Sequence, residues 1–291
     1  MTSAARTGTA QAGAIVNGMS VDVEEWFQVG AFENTIRKSE WDGLESRVAT
    51  NTGAVLDLFA EHGVRATFFT LGWVAARHPA LIRRIVEAGH EIASHGWDHQ
   101  RVFTMDAAQF RADLRKARTA LEDAGGAAVT GYRAPSFSID TRTPWAHPVL
   151  AEEGYAYSSS VAPVAHDHYG WRESPRFAWR PLADSGLIEI PVSVAELAGR
   201  RMAVGGGFFR LLPAALTDLA VRQANGGGHA GMFYFHPWEV DTGQPRVAGA
   251  PLRSRVRHYS RIGAMAGKLR GLLARHAWGR VDEVAAREQA R

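Results

Sequence analysis

The chain of 291 residues contains no cysteine. Disulfide frameworks, thiolate zinc sites and thiol nucleophiles are thereby excluded, and any bound metal must rest on His, Asp or Glu. Twelve histidines are available for that. Long apolar runs are absent too, since no uncharged stretch reaches the ~20 residues of a membrane span. Met1–Asn17 holds one arginine and many small polar residues without the apolar centre of a signal peptide, so the expected address is the cytoplasm. A formal net charge of +3 is too small to point to nucleic acid as a partner. With 46% hydrophobic and 22% charged residues, the composition is that of a folded domain and not of a disordered or fibrous chain.

The charge is spread unevenly. From Thr242 onward eleven Lys and Arg face three Asp and Glu, a net of +8, which leaves −5 for residues 1–241. No acid occurs from Thr242 to Gly279, and Ile262, Met265, Leu269, Leu272 and Leu273 recur there at helical spacing. The segment reads as an amphipathic basic helix whose apolar stripe docks on the main body while its arginines stay in water. Peripheral contact of this basic segment with the inner membrane surface is the alternative.

Short β-rich runs alternate with helical patterns along most of the chain, the signature of βα units around a parallel sheet. Strands are predicted at Ile15–Val23, Ala66–Leu71, Glu91–Ser94, Thr130–Arg133, Leu187–Val192 and Met232–His236. Helices are predicted at Ser46–His62, Pro79–Ala88, Asp106–Ala124, Trp145–Glu153 and Pro213–Asn225. Glycine follows several of them, in His62-Gly63, Ala88-Gly89 and Ala124-Gly125, where a left-handed residue closes a helix. With no repeat and no linker, the expected class is α/β with one (β/α) barrel of fewer than eight units. It would span residues 15–241, after a flexible N-terminus, 1–14, and before the basic extension, 242–291, packed on it.

Polar residues gather at the C-terminal ends of the predicted strands, which in a parallel barrel converge on one face. Asp22 and Glu24 close the first, His95 and His99 follow the third, Arg133 ends the fourth and His236 the last. Two histidines four apart just after a strand can turn both imidazoles toward one ion. Alternate positions of a strand share a side, so Asp22 and Glu24 can enter one site while Glu25 points away. One carboxylate would complete a shell of two histidines and an acid, and the other would be free to act as a base. Ordinary loop polarity is the bland reading of the histidine pair, and a solvated loop that of the three acids.

The runs Ser20-Val-Asp22-Val-Glu24, Ala66-Thr-Phe-Phe, Gly89-His-Glu-Ile, Ser94-His95-Gly-Trp-Asp-His99, Arg133-Ala-Pro135 and Phe235-His236-Pro-Trp-Glu, in that order, resemble the polysaccharide deacetylases of carbohydrate esterase family 4, the NodB-homology domain. The likeness extends from about residue 15 to 240. Gly205-Gly-Gly-Phe-Phe-Arg210-Leu-Leu-Pro213 and Pro251-Leu-Arg-Ser-Arg, with the basic tail, resemble the branch tied to exosortase-linked exopolysaccharide gene clusters.

This resemblance implies a distorted (β/α)7-type barrel, a single divalent metal and removal of N-acetyl groups from hexosamines of a polysaccharide or oligosaccharide. The metal is usually zinc, with cobalt, manganese or nickel as substitutes. His95 and His99 match the family's metal histidines, Asp22 its base, Arg133 the arginine that orients the base, and His236 its acid. The chain departs from the pattern in that one residue separates Asp22 from the next acid, which is a glutamate. The metal carboxylate is therefore assigned to Glu24, with Glu25 as the lesser option. The family's aspartate that tunes the acid histidine has no clear counterpart, and Asp167 and Asp140 are the candidates. For substrate contact the candidates are Trp26, Trp97, Pro135, Tyr157, Asp167, Trp171 and Trp238, although each aromatic is as readily core. The remaining histidines are read as structural or solvated. Competing readings are a metal hydrolase of a ureide or cyclic amide, a metal-free glycosidase using Asp22 and Glu24, and a non-catalytic saccharide-binding protein.

Overall fold

A computed structural model describes residues 15–165 and 169–291. Strand β1 (Asn17–Val23) is buried at every position, as expected of a strand covered on both faces. Five more strands follow: β2 (Thr67–Thr70), β3 (Glu91–Ser94), β4 (Gly131–Tyr132), β5 (Tyr157–Ser158) and β6 (Ile188–Glu189). A hairpin of β7 (Val194–Leu197) and β8 (Arg200–Ala203) stands apart as a two-stranded antiparallel sheet, before β9 (Met232–Phe235) and β10 (Trp278–Gly279). Strands β9-β1-β2-β3-β4-β5-β6 lie side by side and parallel. The ring is drawn together beyond β6, where Ser193 N–H donates to Met232 O at 2.9 Å and Ser193 Oγ accepts from Met232 N at 2.7 Å. The result is a distorted, seven-stranded (β/α) barrel in one domain, as expected.

Helices α1 (Val48–His62), α2 (Gly72–Arg77), α3 (Pro79–Glu87), α4 (Ala107–Gly125) and α5 (Ala146–Glu152) fill the crossovers between β1 and β5. Their ends follow local chemistry. Asp106 and Gln109 exchange side-chain and backbone hydrogen bonds in a capping box that starts α4. Gly63, at φ 62°, ends α1, while α4 runs one residue past expectation to close on Gly126 at φ 65°. Helices α6 (Gly206–Leu211) and α7 (Ala214–Gly226) precede β9.

The basic segment forms two helices, α8 (Leu252–Tyr259) and α9 (Ile262–Arg275), and α10 (Val281–Gln289) follows. The break that the 3.6-residue pattern does not reveal comes at Arg261, in the left-handed region at φ 58°. Ile262, Met265, Leu269, Leu272 and Leu273 are all buried along α9, whereas Leu252 and Val256 on α8 are exposed. After α9 the chain enters the sheet itself, because β10 pairs in parallel with the start of β1. Strands β5 and β10 escape sequence reading because, unlike β4 and β6, these two-residue strands do not lie within a longer predicted β-rich run. Among the described residues no helix is long and apolar enough to cross a membrane.

Candidate metal and active site

The C-terminal end of β1 sets the floor of the site. Asp22 and Glu24 project to one side and are both almost wholly buried. Glu25 turns the other way: its carboxylate accepts Arg47 N–H at 3.0 and 3.2 Å and the Ser46 hydroxyl, at the N-terminus of α1. Burial holds its carboxyl above the ordinary range. Glu25 is thus a helix cap, and Glu24 is the acid that faces the histidines.

His95 directly follows β3, and its Nδ1–H donates to Arg133 O at 2.8 Å, which leaves Nε2 with a free lone pair. Gly96 at φ 76° and His99 at φ 62° turn the loop back so that the two imidazoles lie 5.6 Å apart, centre to centre. The loop is pinned from outside. Trp97 N–H donates to both oxygens of Asp113 at 3.2 Å, while Gly96 O and Trp97 O accept from Gly72 and Trp73 N–H at 2.9 Å. Gly72 is required there, since a Cβ would fall 2.7 Å from the Trp97 ring and 2.8 Å from Ala117 Cα.

One ligand atom from each of Glu24, His95 and His99 lies within 4.8 Å of the other two. Glu24 Oε2 stands 2.9 Å from His99 Nε2, yet it receives no aligned hydrogen bond although it is buried. A buried carboxylate oxygen facing ring nitrogens without a hydrogen bond is the donor set a shared cation would satisfy. Protonation states agree. Burial alone would raise the Glu24 carboxyl, but His99, His236 and His95 bring it down to about 2. Burial pushes His95 down to about 4 against the pull of Asp22, so its ring is neutral at pH 7, the form a metal would require.

Arg133 is fully buried at the end of β4, with its guanidinium 4.1 Å from the Phe69 ring centre. Its Nη1 donates to Asp22 Oδ1 at 2.6 Å and to Ser20 Oγ at 2.8 Å, and its Nε and Nη2 donate to Ser159 O and Oγ. Asp22 Oδ1 is thereby fixed, and Oδ2 is turned toward His236, whose Nε2 lies 4.0 Å away.

His236 follows β9 and is partly exposed, as is His99. Its Nε2 stands 3.7 Å from Glu24 Oε1, and its Nδ1–H donates to Glu239 Oε2 at 3.0 Å. Burial would lower its pKa, but the bond to Glu239 and the charges of Glu24 and Asp22 raise it to about 9. The ring rests on Trp238, 5.1 Å between centres and 21° from parallel. Trp238 Nε1–H donates to Glu24 Oε1 at 3.1 Å.

Sequence reasoning missed Glu239. It is the last residue of Phe235-His236-Pro-Trp-Glu, and one turn of 3-10 helix, Pro237–Val240, brings it back onto His236. Asp140, a candidate for that tuning role, is instead paired with Arg142, and Asp167 lies outside the described residues. His258, read as structural or solvated, stacks on the far face of Trp238 at 4.4 Å and 16°.

The aromatic candidates scatter. Trp26 is core, its Nε1–H held by Glu45 O at 3.0 Å. Tyr157 is buried at the opposite end of the barrel, its hydroxyl donating 2.8 Å to Glu91 at the start of β3, because it begins β5 and does not end it. Trp238 is committed to Glu24 and His236. Pro135 is buried beside Gly96. Trp97, with Lys116 Nζ 3.7 Å from its ring centre, and Trp171, against Trp179, keep part of their surface in solvent.

Residues 41–157 match the polysaccharide deacetylase family, and residues 159–286 match a domain of unknown function, DUF3473. His95, His99 and Arg133 fall in the first segment and His236 and Glu239 in the second, while Asp22 and Glu24 precede both. The chain is 33% identical over 133 residues to a chitooligosaccharide deacetylase of Bradyrhizobium, covering 46% of this chain and 55% of that protein. It is 36% identical over 99 residues to the peptidoglycan-N-acetylglucosamine deacetylase PgdA of Listeria monocytogenes, covering 34% of this chain and 21% of that one. The chain thus spans about a fifth to a half of the length of these relatives. A putative polysaccharide deacetylase structure from Mycobacterium smegmatis superposes with a TM-score of 0.60 at 23% identity, over 95% of this chain and 92% of that one, and so shares the fold.

Proposed function

We propose that this chain, with its polysaccharide deacetylase segment, is a metal-dependent hydrolase that removes N-acetyl groups from hexosamine residues of a polysaccharide or oligosaccharide. The observation that carries the reading is the convergence of Glu24, His95 and His99 beside two groups of opposite proton demand, Asp22 and His236. A divalent ion on those three residues, zinc in the first place, would polarise the acetyl carbonyl and lower the pKa of a water. Asp22, anchored through Oδ1 by Arg133, takes the proton of the attacking water on its free oxygen. His236, kept as imidazolium by Glu239, Glu24 and Asp22, gives its Nε2 proton to the departing amine, which leaves poorly unless protonated. Acetate and a free hexosamine amine are the products. A role in exosortase-linked exopolysaccharide synthesis is part of the proposal and rests on the Gly205–Pro213 and Pro251–Arg255 runs with the basic tail.

Peripheral attachment to an anionic membrane is also proposed, now for α8 alone. Leu252 and Val256 stand outward one turn apart, with Arg255 and Arg257 also exposed, whereas the stripe of α9 is used in packing. The deciding experiment for the catalytic reading is metal analysis of the purified chain together with acetate release from a panel of N-acetylated oligosaccharides. A metal-bearing chain that releases no acetate from any of them would overturn it.

A further inference from the structure

Two runs of the sequence hold none of the reacting groups: Gly205-Gly-Gly-Phe-Phe-Arg210 and the basic segment after Thr242. The structure ties both to His236. Gly205 and Gly206 let α6 lie directly on Tyr234 of β9, where a Cβ would come within 2.5 and 2.9 Å of ring carbons. Phe209 packs on Phe233 of the same strand, 4.9 Å between ring centres. Arg210 is thereby buried behind His236, and its Nε donates to Glu239 Oε1 at 3.1 Å. The rest of its guanidinium donates to the last carbonyls of α8 and just beyond: Arg257 O at 3.0 Å, Ser260 O at 2.8 Å and His258 O. Lys268 of α9 returns the clasp, donating to Phe209 O, Arg210 O and Leu212 O at 2.7–2.9 Å. Each cation thus sits on the negative end of a helix of the other segment.

A second line reaches the same histidine. Trp238, on which His236 stacks, is backed by His258 of α8. His258 Nε2 is bonded to Gln244 Oε1 at 2.6 Å, and Gln244 Nε2–H donates to Trp238 O at 3.0 Å. The plane of the His236 ring is set by Trp238, and its rotation within that plane by Glu239. Both constraints end on α8.

We propose that residues 242–275 form a positioning module for His236, acting through Arg210–Glu239 on one side and His258–Trp238 on the other. Arg210 and His258 are positioning residues that touch neither metal ligand nor substrate. The assignment of His236 as acid rests on the function proposed above, but its orientation by the module does not. The experiment therefore has two arms on the full chain. In metal-free protein, proton NMR should show the His236 Nδ1 proton as a downfield, slowly exchanging resonance. Arg210→Met and His258→Ala should lose or broaden it, while Arg210→Lys and His258→Phe, which restore a cation and a stacking face, should keep it. With metal added, the two disruptive variants should lower kcat on the N-acetyl amide roughly 10- to 100-fold, leave KM within about twofold, and lower turnover of an activated acetate ester less than about threefold.

A resonance unchanged in folded Arg210→Met and His258→Ala would overturn the proposal. Equal losses on amide and ester would do the same, since they would mark a merely structural defect. Should Arg210→Met fail to fold, His258→Ala read against His258→Phe decides, because the former removes the stacking face behind Trp238 and the latter keeps it. A wild type that shows the resonance but releases no acetate would sink the proposed function and leave the positioning intact.

Discussion

Arg133, directly after β4, and Asp22 of β1 form a buried ion pair at 2.6 Å that reaches across β2 and β3 of the sheet. An uncompensated buried charge is costly, so Arg133→Met, which strands Asp22, should destabilise the fold by about 3–5 kcal/mol. Metal binding should survive, because His95 is held by the Arg133 carbonyl and not by its side chain. Thermal denaturation and metal content together check this. A variant as stable as wild type would show that the pair contributes little.

The two acids of β1 should separate by role. Asp22→Asn is expected to keep the metal and lose roughly 10²–10⁴-fold in kcat. Glu24→Gln is expected to lose metal affinity first, with activity recovering at high metal concentration. Titration of each variant with Zn2+ decides between this assignment and its reverse, in which only the Asp22 variant loses metal.

How much of this was legible beforehand depended on distance along the chain. Asp22, His95, Arg133 and His236 each follow or end a strand whose apolar run is visible in the sequence, and parallel topology sends those ends to one face. Glu24 against Glu25 stayed open because alternation is a property of the strand, and the strand stops at Val23. Glu239 was one 3-10 turn from His236, but an i,i+3 acid is commonplace and carries no signal without its partner Arg210, 29 residues upstream. The break between α8 and α9 was hidden because the residue in the left-handed conformation is an arginine and not a glycine. Tyr157 was misplaced because a two-residue strand offers no run by which to tell its start from its end.

Glu91 provides a pH test away from the site. It opens β3, accepts hydrogen bonds from Tyr157 and Thr67, and faces the backbone N–H of Asp282 at the start of α10. Burial and the Asp282 charge raise its carboxyl to about 8, from an ordinary value of 4.5. Between those values the folded chain holds a proton that the unfolded chain releases, so this group's contribution falls as pH rises from about 4.5 to 8 and levels off above. Glu91→Gln, which stays neutral, should flatten that part of the profile and gain stability over wild type toward pH 8. Parallel pH profiles of melting temperature for the two chains would contradict it.

His236 provides the sharpest test of mechanism because its two conceivable roles require opposite protonation. A metal ligand must be neutral, whereas an acid must carry its proton. The contacts to Glu239, Glu24 and Asp22 favour the imidazolium, and Nδ1 is already engaged with Glu239, which leaves Nε2–H as the proton to give. His236→Ala should therefore retain the metal and lose roughly 10²–10⁴-fold in kcat on the amide. An activated acetate ester, whose leaving group departs unprotonated, should lose far less. Loss of metal from the variant would instead make His236 a ligand, and equal losses on amide and ester would assign the leaving-group proton to another residue.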